Sequence, residues 1–99
     1  NMPAVCRIGD KDAGHCSGTS RAEGYARVKI NNIPVSAQGH KNTSHSTPGK
    51  VCLPHAKPIE KGSSSVFVDN GSRGIGRVGD GISSCTSVAQ GSPNVFAGG

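Results

Sequence analysis

Three seven-residue windows, Ala4–Asp10, Pro34–His40 and Gly74–Asp80, share one pattern: AVCRIGD, PVSAQGH and GIGRVGD. Each has Gly in sixth place (Gly9, Gly39, Gly79), followed by Asp10, His40 or Asp80. After four further residues comes a side chain that can bind a soft metal: His15, His45 or Cys85. A repeat of this size constrains the fold strongly, because one copy cannot bury its apolar face alone and must pack on the others. A second element follows each window. Gly62-Ser63-Ser64-Ser65-Val66-Phe67 parallels Gly91-Ser92-Pro93-Asn94-Val95-Phe96, and Gly24-Tyr25-Ala26-Arg27-Val28-Lys29 takes the same place more loosely. Asn31-Asn32 and Asp69-Asn70-Gly71 then separate short β-branched runs, as hairpin turns do, since Gly and Asn accept positive φ. Each unit reads strand, turn, strand, Gly-Asp turn and loop. Val66–Val68, Asn70-Gly71 and Ile75–Val78 form the clearest copy.

The repeat is out of phase with the chain. Its last copy supplies a first strand at Val95, which the first copy, starting at Ala4, lacks. The two segments are expected to pair, which leaves no open sheet edge. The expected fold is all-β: a small cone of three quasi-equivalent hairpins with pseudo-threefold symmetry, one domain over residues 1–99. Asn1, ahead of Met2, reads as a residue left over from expression.

Composition shows why such a ring needs a staple. Val, Ile, Leu and Phe make 18 of the 99 residues, under the ~20% below which a packed core becomes doubtful. Fifteen of these are β-branched Val or Ile against one Leu, which favours strands over helices. No apolar run approaches the ~18–20 residues of a membrane span. The eleven Lys and Arg are spread singly from Arg7 to Arg77, and the aromatics are Tyr25, Phe67 and Phe96 alone. Nucleic-acid binding calls for a concentrated basic face or stacking rings, so no nucleic-acid partner is expected.

A threefold ring would bring His15, His45 and Cys85 towards one axis, one donor short of a tetrahedral set. The window glycines lie 30 and then 40 residues apart, so the second segment carries ten extra residues, among them Val51-Cys52-Leu53-Pro54-His55. His55 is the preferred fourth ligand. Cys52, at chelating spacing from His55, and Cys16, beside His15, are its rivals. Imidazole and thiolate suit one structural Zn²⁺. Such an ion contributes an apparent ~10–16 kcal/mol in small peptides, against a total stability of ~5–15 kcal/mol for an ordinary domain. Two disulfides among Cys6, Cys16, Cys52 and Cys85 are the alternative staple, in an oxidising compartment. Cys6, beside Val5 and Ile8, reads as a buried thiol. Asp10 and Asp80 read as turn residues that bond nearby backbone N–H groups, and His40 as a drifted residue at the same place. Val28, Ile30, Val66, Val68 and Val95 are candidates for core or base. Ser17–Ala22 and Pro58–Ser64 read as mobile connections.

These residues resemble the PAAR-repeat family, whose window is Pro-Ala-Ala-Arg followed by an aliphatic residue and Gly-Asp. Arg7-Ile8-Gly9-Asp10 and Arg77-Val78-Gly79-Asp80 match its second half, Pro34 keeps the first residue of the middle copy, and Gly91–Phe96 is typical of the family. The middle window departs from it with Ala37-Gln38-Gly39-His40. The likeness runs from Pro3 to Gly99. It implies a cone whose apex holds zinc through three histidines and one cysteine, which map onto His15, His45, His55 and Cys85. It further implies a non-enzymatic tip on the spike of a contractile injection machine. The setting would be a phage tail, making the protein part of a virion, or a type VI secretion apparatus, passing from the cytoplasm to the outside. One chain would cap a trimeric β-helical spike protein and meet the target cell membrane transiently, with a separate effector protein as optional cargo. A hydrolytic zinc enzyme would keep an open coordination position and a nearby acid or base. Four protein ligands and a motif without an acidic partner argue against one, so no catalytic residue is expected.

Overall fold

Asn31 and Asn32 both take left-handed backbone angles (φ 56° and 66°), the requirement of a two-residue turn that matches strand twist. They join strand β1 (Tyr25–Ile30) to antiparallel β2 (Ile33–Val35), with Ile30 opposite Ile33 and Lys29 opposite Pro34. The register shifts between Tyr25 and Lys29, a bulge that lets the longer strand meet the shorter one. A second hairpin joins β3 (Phe67–Val68) to β4 (Arg73–Gly74). Its loop is wider than the sequence suggests, because Asp69, Asn70 and Gly71 are all left-handed. The return strand therefore starts at Arg73 rather than Ile75, and Ile75 N–H continues the pairing by donating to Val66 O (2.9 Å). This computed structural model describes residues 2–14, 18–45 and 55–98. Among them the ordered backbone is short strands and isolated bridges with no helix, a small all-β arrangement.

The three windows bond to one another in a closed cycle. Cys6 N–H donates to Gly76 O (2.9 Å), Gly76 N–H to Ser36 O (3.0 Å), and Ser36 N–H to Cys6 O (3.1 Å). Two residues on, a second cycle runs in the opposite sense, with Ile8, Gln38 and Val78 donating to Pro34, Gly74 and Ala4. Ala4 also bridges Phe96 antiparallel, with Val5 N–H on Val95 O and Ala97 N–H on Pro3 O, both 3.0 Å. The segments that the phase of the repeat pairs are thus in contact. Gly24, Gly62 and Gly91 hold one place in the repeat for one reason: a Cβ there would strike the carbonyl oxygens of Val35, Gly74 and Val5.

Each window ends in a tight turn with a left-handed glycine, Gly9, Gly39 or Gly79 (φ 91°, 87° and 93°). In the outer two, a carboxylate caps the turn and grips an arginine. Asp10 Oδ2 accepts from Arg7 N–H (2.8 Å) and Nε (2.9 Å), and Asp80 Oδ2 from Arg77 N–H (2.8 Å) and Nε (3.2 Å). The middle turn keeps the geometry with other chemistry. His40 Nδ1 accepts from Ala37 N–H (2.9 Å). The missing guanidinium comes from Arg73, whose Nη1 donates to Gln38 O (2.7 Å).

A neutral imidazole can accept that bond, but a protonated one cannot. Burial first, and then the positive charge of Arg73, hold the His40 pKa below the usual imidazole range. Arg21 acts in the same direction, and Glu23 and Asp69 partly oppose it. Because the folded value is depressed, the unfolded chain takes up the proton first. The stability this group contributes is complete above ~6.5 and is lost as pH falls from there through the lower folded value. We expect the wild type to lose up to about 2 kcal/mol more than His40→Asp between pH 7.5 and 5, the most that one proton allows from ~6.5 down to 5. Denaturant midpoints of the two proteins at each pH measure this. Equal losses would show that the cap does not titrate.

The apolar interior has two parts. One is Val5, Val35, Ala37, Val68, Ile75 and Ala97, flanked by Tyr25, Val28, Ile30 and Val95. The other is Cys6, Ile59, Ile82 and Val88, with Cys85 packed against it. Val66, a candidate for core or base, is exposed and so is no core residue. Phe67, Phe96 and Met2 are exposed as well. Two stretches read as mobile connections are tied into this interior: Arg21 and Ile59 are each 1% exposed. Arg21, Ile59 and Val88 are equivalent, since their carbonyls accept from Gly9, Gly39 and Gly79 and their N–H groups donate to Asp10, His40 and Asp80. Arg21 therefore fills a position that is apolar in the other two units. Its Nη2 donates to Asp12 Oδ2 (3.2 Å) and its Nη1 to His40 O (3.1 Å). Nε lies 3.0 Å from Asp12 Oδ1 but out of line, so that contact is Coulombic.

Candidate metal centre

Beyond the middle turn the chain runs antiparallel to the segment around residues 55–58. Asn42 N–H donates to Lys57 O (3.1 Å), and Lys41 bridges Pro58. The last described pair of this ladder is His45 and His55, which exchange both backbone hydrogen bonds (3.0 and 3.2 Å). A directly opposed pair sends its side chains to the same face. The two imidazoles accordingly meet edge to face, with ring centroids 4.2 Å apart. Thr43 O lies 2.8 Å from His45 Nδ1. A carbonyl only accepts, so Nδ1 carries the proton and Nε2 is the nitrogen able to ligate a metal.

Cys85 arrives from the third unit. Ile82 O accepts from Cys85 N–H (2.9 Å) and Ile82 N–H donates to Thr86 O (2.7 Å), closing a tight turn in which Ser84 is left-handed (φ 53°). The third unit has the shortest excursion here, and Ser83 N–H fastens it to Pro58 O (2.9 Å) beside the histidine ladder. Cys85 Sγ then stands 3.3 Å from His45 Nε2 and 3.5 Å from His55 Nε2. The ligand atoms of His45, His55 and Cys85 all lie within 4.8 Å of one another, close enough to hold a metal ion.

Of the four ligands expected from the sequence, three are therefore together. The fourth, His15, and the rival ligands Cys16 and Cys52 lie outside the described residues. Among the described residues the cysteines are free: Cys6 is buried and Cys85 half-buried. Cys6 is no ligand. Burial pushes its thiol up to about 12, and Sγ donates to Ser36 O (3.5 Å). Spacing alone missed two residues that support the trio: Thr43, through the carbonyl that sets the His45 tautomer, and Asn42, whose Nδ2 lies 3.8 Å from Cys85 Sγ. Asn42 shares its place in the repeat with Asp12 and Ile82, three residues after the window glycine. That equivalence marks the position, while the side-chain chemistry differs in each copy. No protein-family model matches the chain, and no curated protein matches it.

Proposed function

We propose that this chain is a PAAR-type spike tip: a cone of three quasi-equivalent hairpins with pseudo-threefold symmetry, pinned at its apex by one zinc ion. It would cap a trimeric β-helical spike and help it pierce a cell envelope when a contractile tail or type VI apparatus fires. The observation that carries this reading is the meeting of His45, His55 and Cys85 from two different units. A tetrahedron with Zn–N of about 2.0–2.1 Å and Zn–S of about 2.3 Å has an S···N edge of about 3.5–3.6 Å. The two Sγ···Nε2 separations, 3.3 and 3.5 Å, are close to that edge. His15 occupies the equivalent place in the first unit and completes a His₃Cys set in this proposal. Bound zinc supplies structural cross-linking, because its four positions are then filled by protein.

The hydrogen-bond cycle through Cys6, Gly76 and Ser36 supports the threefold arrangement. Three like units in one chain can meet three identical spike subunits, which a single asymmetric surface cannot do. Met2, Val66, Phe67 and Phe96 are exposed large apolar side chains, and Phe67 and Phe96 are sequence neighbours of Val68 and Ala97 in the first apolar cluster. They are the proposed base, covered by the open end of the β-helix through apolar contact and continued strand pairing. The cone would narrow a blunt trimer to a point, so that the driving force falls on a small area of membrane.

Mixing the chain with a trimeric β-helical spike protein tests the assembly. The expected complex holds one tip chain per three spike chains, measured by light scattering with mass analysis. Any other stoichiometry, or no complex, would overturn the capping role.

A further inference from the structure

Asn42 is only 2% exposed, and its side-chain amide can be assigned an orientation from its partners alone. Lys57 N–H donates to one end of the amide at 2.9 Å. A backbone N–H needs an acceptor, so that end is Oδ1 and the opposite end is the NH₂ group. The NH₂ group faces Cys85 Sγ at 3.8 Å, a long contact of N–H···S type. Asn42 N–H donates to Lys57 O as well, so backbone and side chain are both anchored to the strand that leads to His55. The two equivalent positions cannot do this: Asp12 is engaged with Arg21, and Ile82 has no polar atom.

We propose that Asn42 is a positioning residue of the metal centre, donating an N–H···S hydrogen bond that holds Cys85 Sγ in place and stabilises its thiolate. The proposal rests on the metal-site reading above and deepens it. Partners of this outer kind orient ligands and tune the bound metal. A donor aimed at the sulfur lowers the energy of the sulfur lone pairs. Removing it raises them, and sulfur-to-metal charge transfer then needs less energy.

Cobalt(II) is a spectroscopic probe for such a site. The wild-type chain loaded with cobalt(II) should show a near-ultraviolet thiolate-to-cobalt band. Asn42→Asp keeps an acceptor for Lys57 N–H but offers the sulfur no donor, and Asn42→Leu removes both functions without adding a charge. The expected result is a shift of the band to longer wavelength in each variant that folds, with cobalt affinity lower by about 10–100-fold. An unshifted band at unchanged affinity in Asn42→Asp, with the wild-type band present, would overturn the role of Asn42 and leave the metal site standing. Absence of the band in the wild type would overturn the site itself.

Discussion

Stripping metal from the folded chain with a strong chelator will lower its unfolding midpoint by more than about 12 °C. Val, Ile, Leu and Phe supply only 18 of 99 residues, and among the described residues the two buried apolar clusters contain no Leu or Phe. An ion held by Cys85 of one unit and by His45 and His55 of another would cross-link the two where the described apolar packing is only the small cluster of Cys6, Ile59, Ile82 and Val88. Structural zinc supplies an apparent ~10–16 kcal/mol in small peptides. A loss of only ~3 kcal/mol moves the midpoint of a domain this size by about 12–24 °C. His45→Ala and Cys85→Ala should match the chelated wild type, and chelator should have little further effect on either. Calorimetric scans of the three proteins with and without chelator make the comparison. An unchanged wild-type midpoint would remove the metal from any structural role.

The second large effect concerns Arg21 and Asp12, whose side chains are both fully buried. Removing one partner of a buried ion pair strands the other charge, at a cost of about 3–5 kcal/mol, whereas replacing both by apolar groups is neutral or stabilising. The chain contains the template for that replacement, because the third unit carries Ile82 and Val88 at the same two places. Arg21→Val alone should lose about 3–5 kcal/mol in urea unfolding. Asp12→Ile combined with Arg21→Val should recover to within ~1 kcal/mol of wild type, or exceed it. His40 O loses its bond from Arg21 in both variants but keeps the one from Ile59 N–H (3.1 Å), so no carbonyl is orphaned. A double variant as unstable as the single one would show that the pair does more than fill space.

Features that depend on neighbours in the chain were open to reading from the sequence. Gly9, Gly39 and Gly79 are left-handed because the turn requires it, Asp10 and Asp80 cap those turns, and Asn31-Asn32 closes a hairpin. Cys6 beside Val5 proved buried, and Ala4 bridges Phe96 as the phase of the repeat suggests. Each follows from spacing or local conformational preference, which the repeat prints three times at the turn glycines and twice at the Asp caps.

What the sequence by itself determined is the unit: its turns, its short strands and the place in each copy where a side chain able to bind a metal falls. Which units touch, and through which atoms, only the tertiary structure decided. Arg73 crosses from the second hairpin to Gln38, Arg21 sinks into an apolar position because Asp12 does so too, and Asn42 reaches Cys85 from 43 residues away. The first and last of these are contacts between copies, and a repeated pattern carries no record of how its copies face each other. That is settled by close approach of backbones and by pairing of buried polar groups, which have meaning only after the chain has closed on itself.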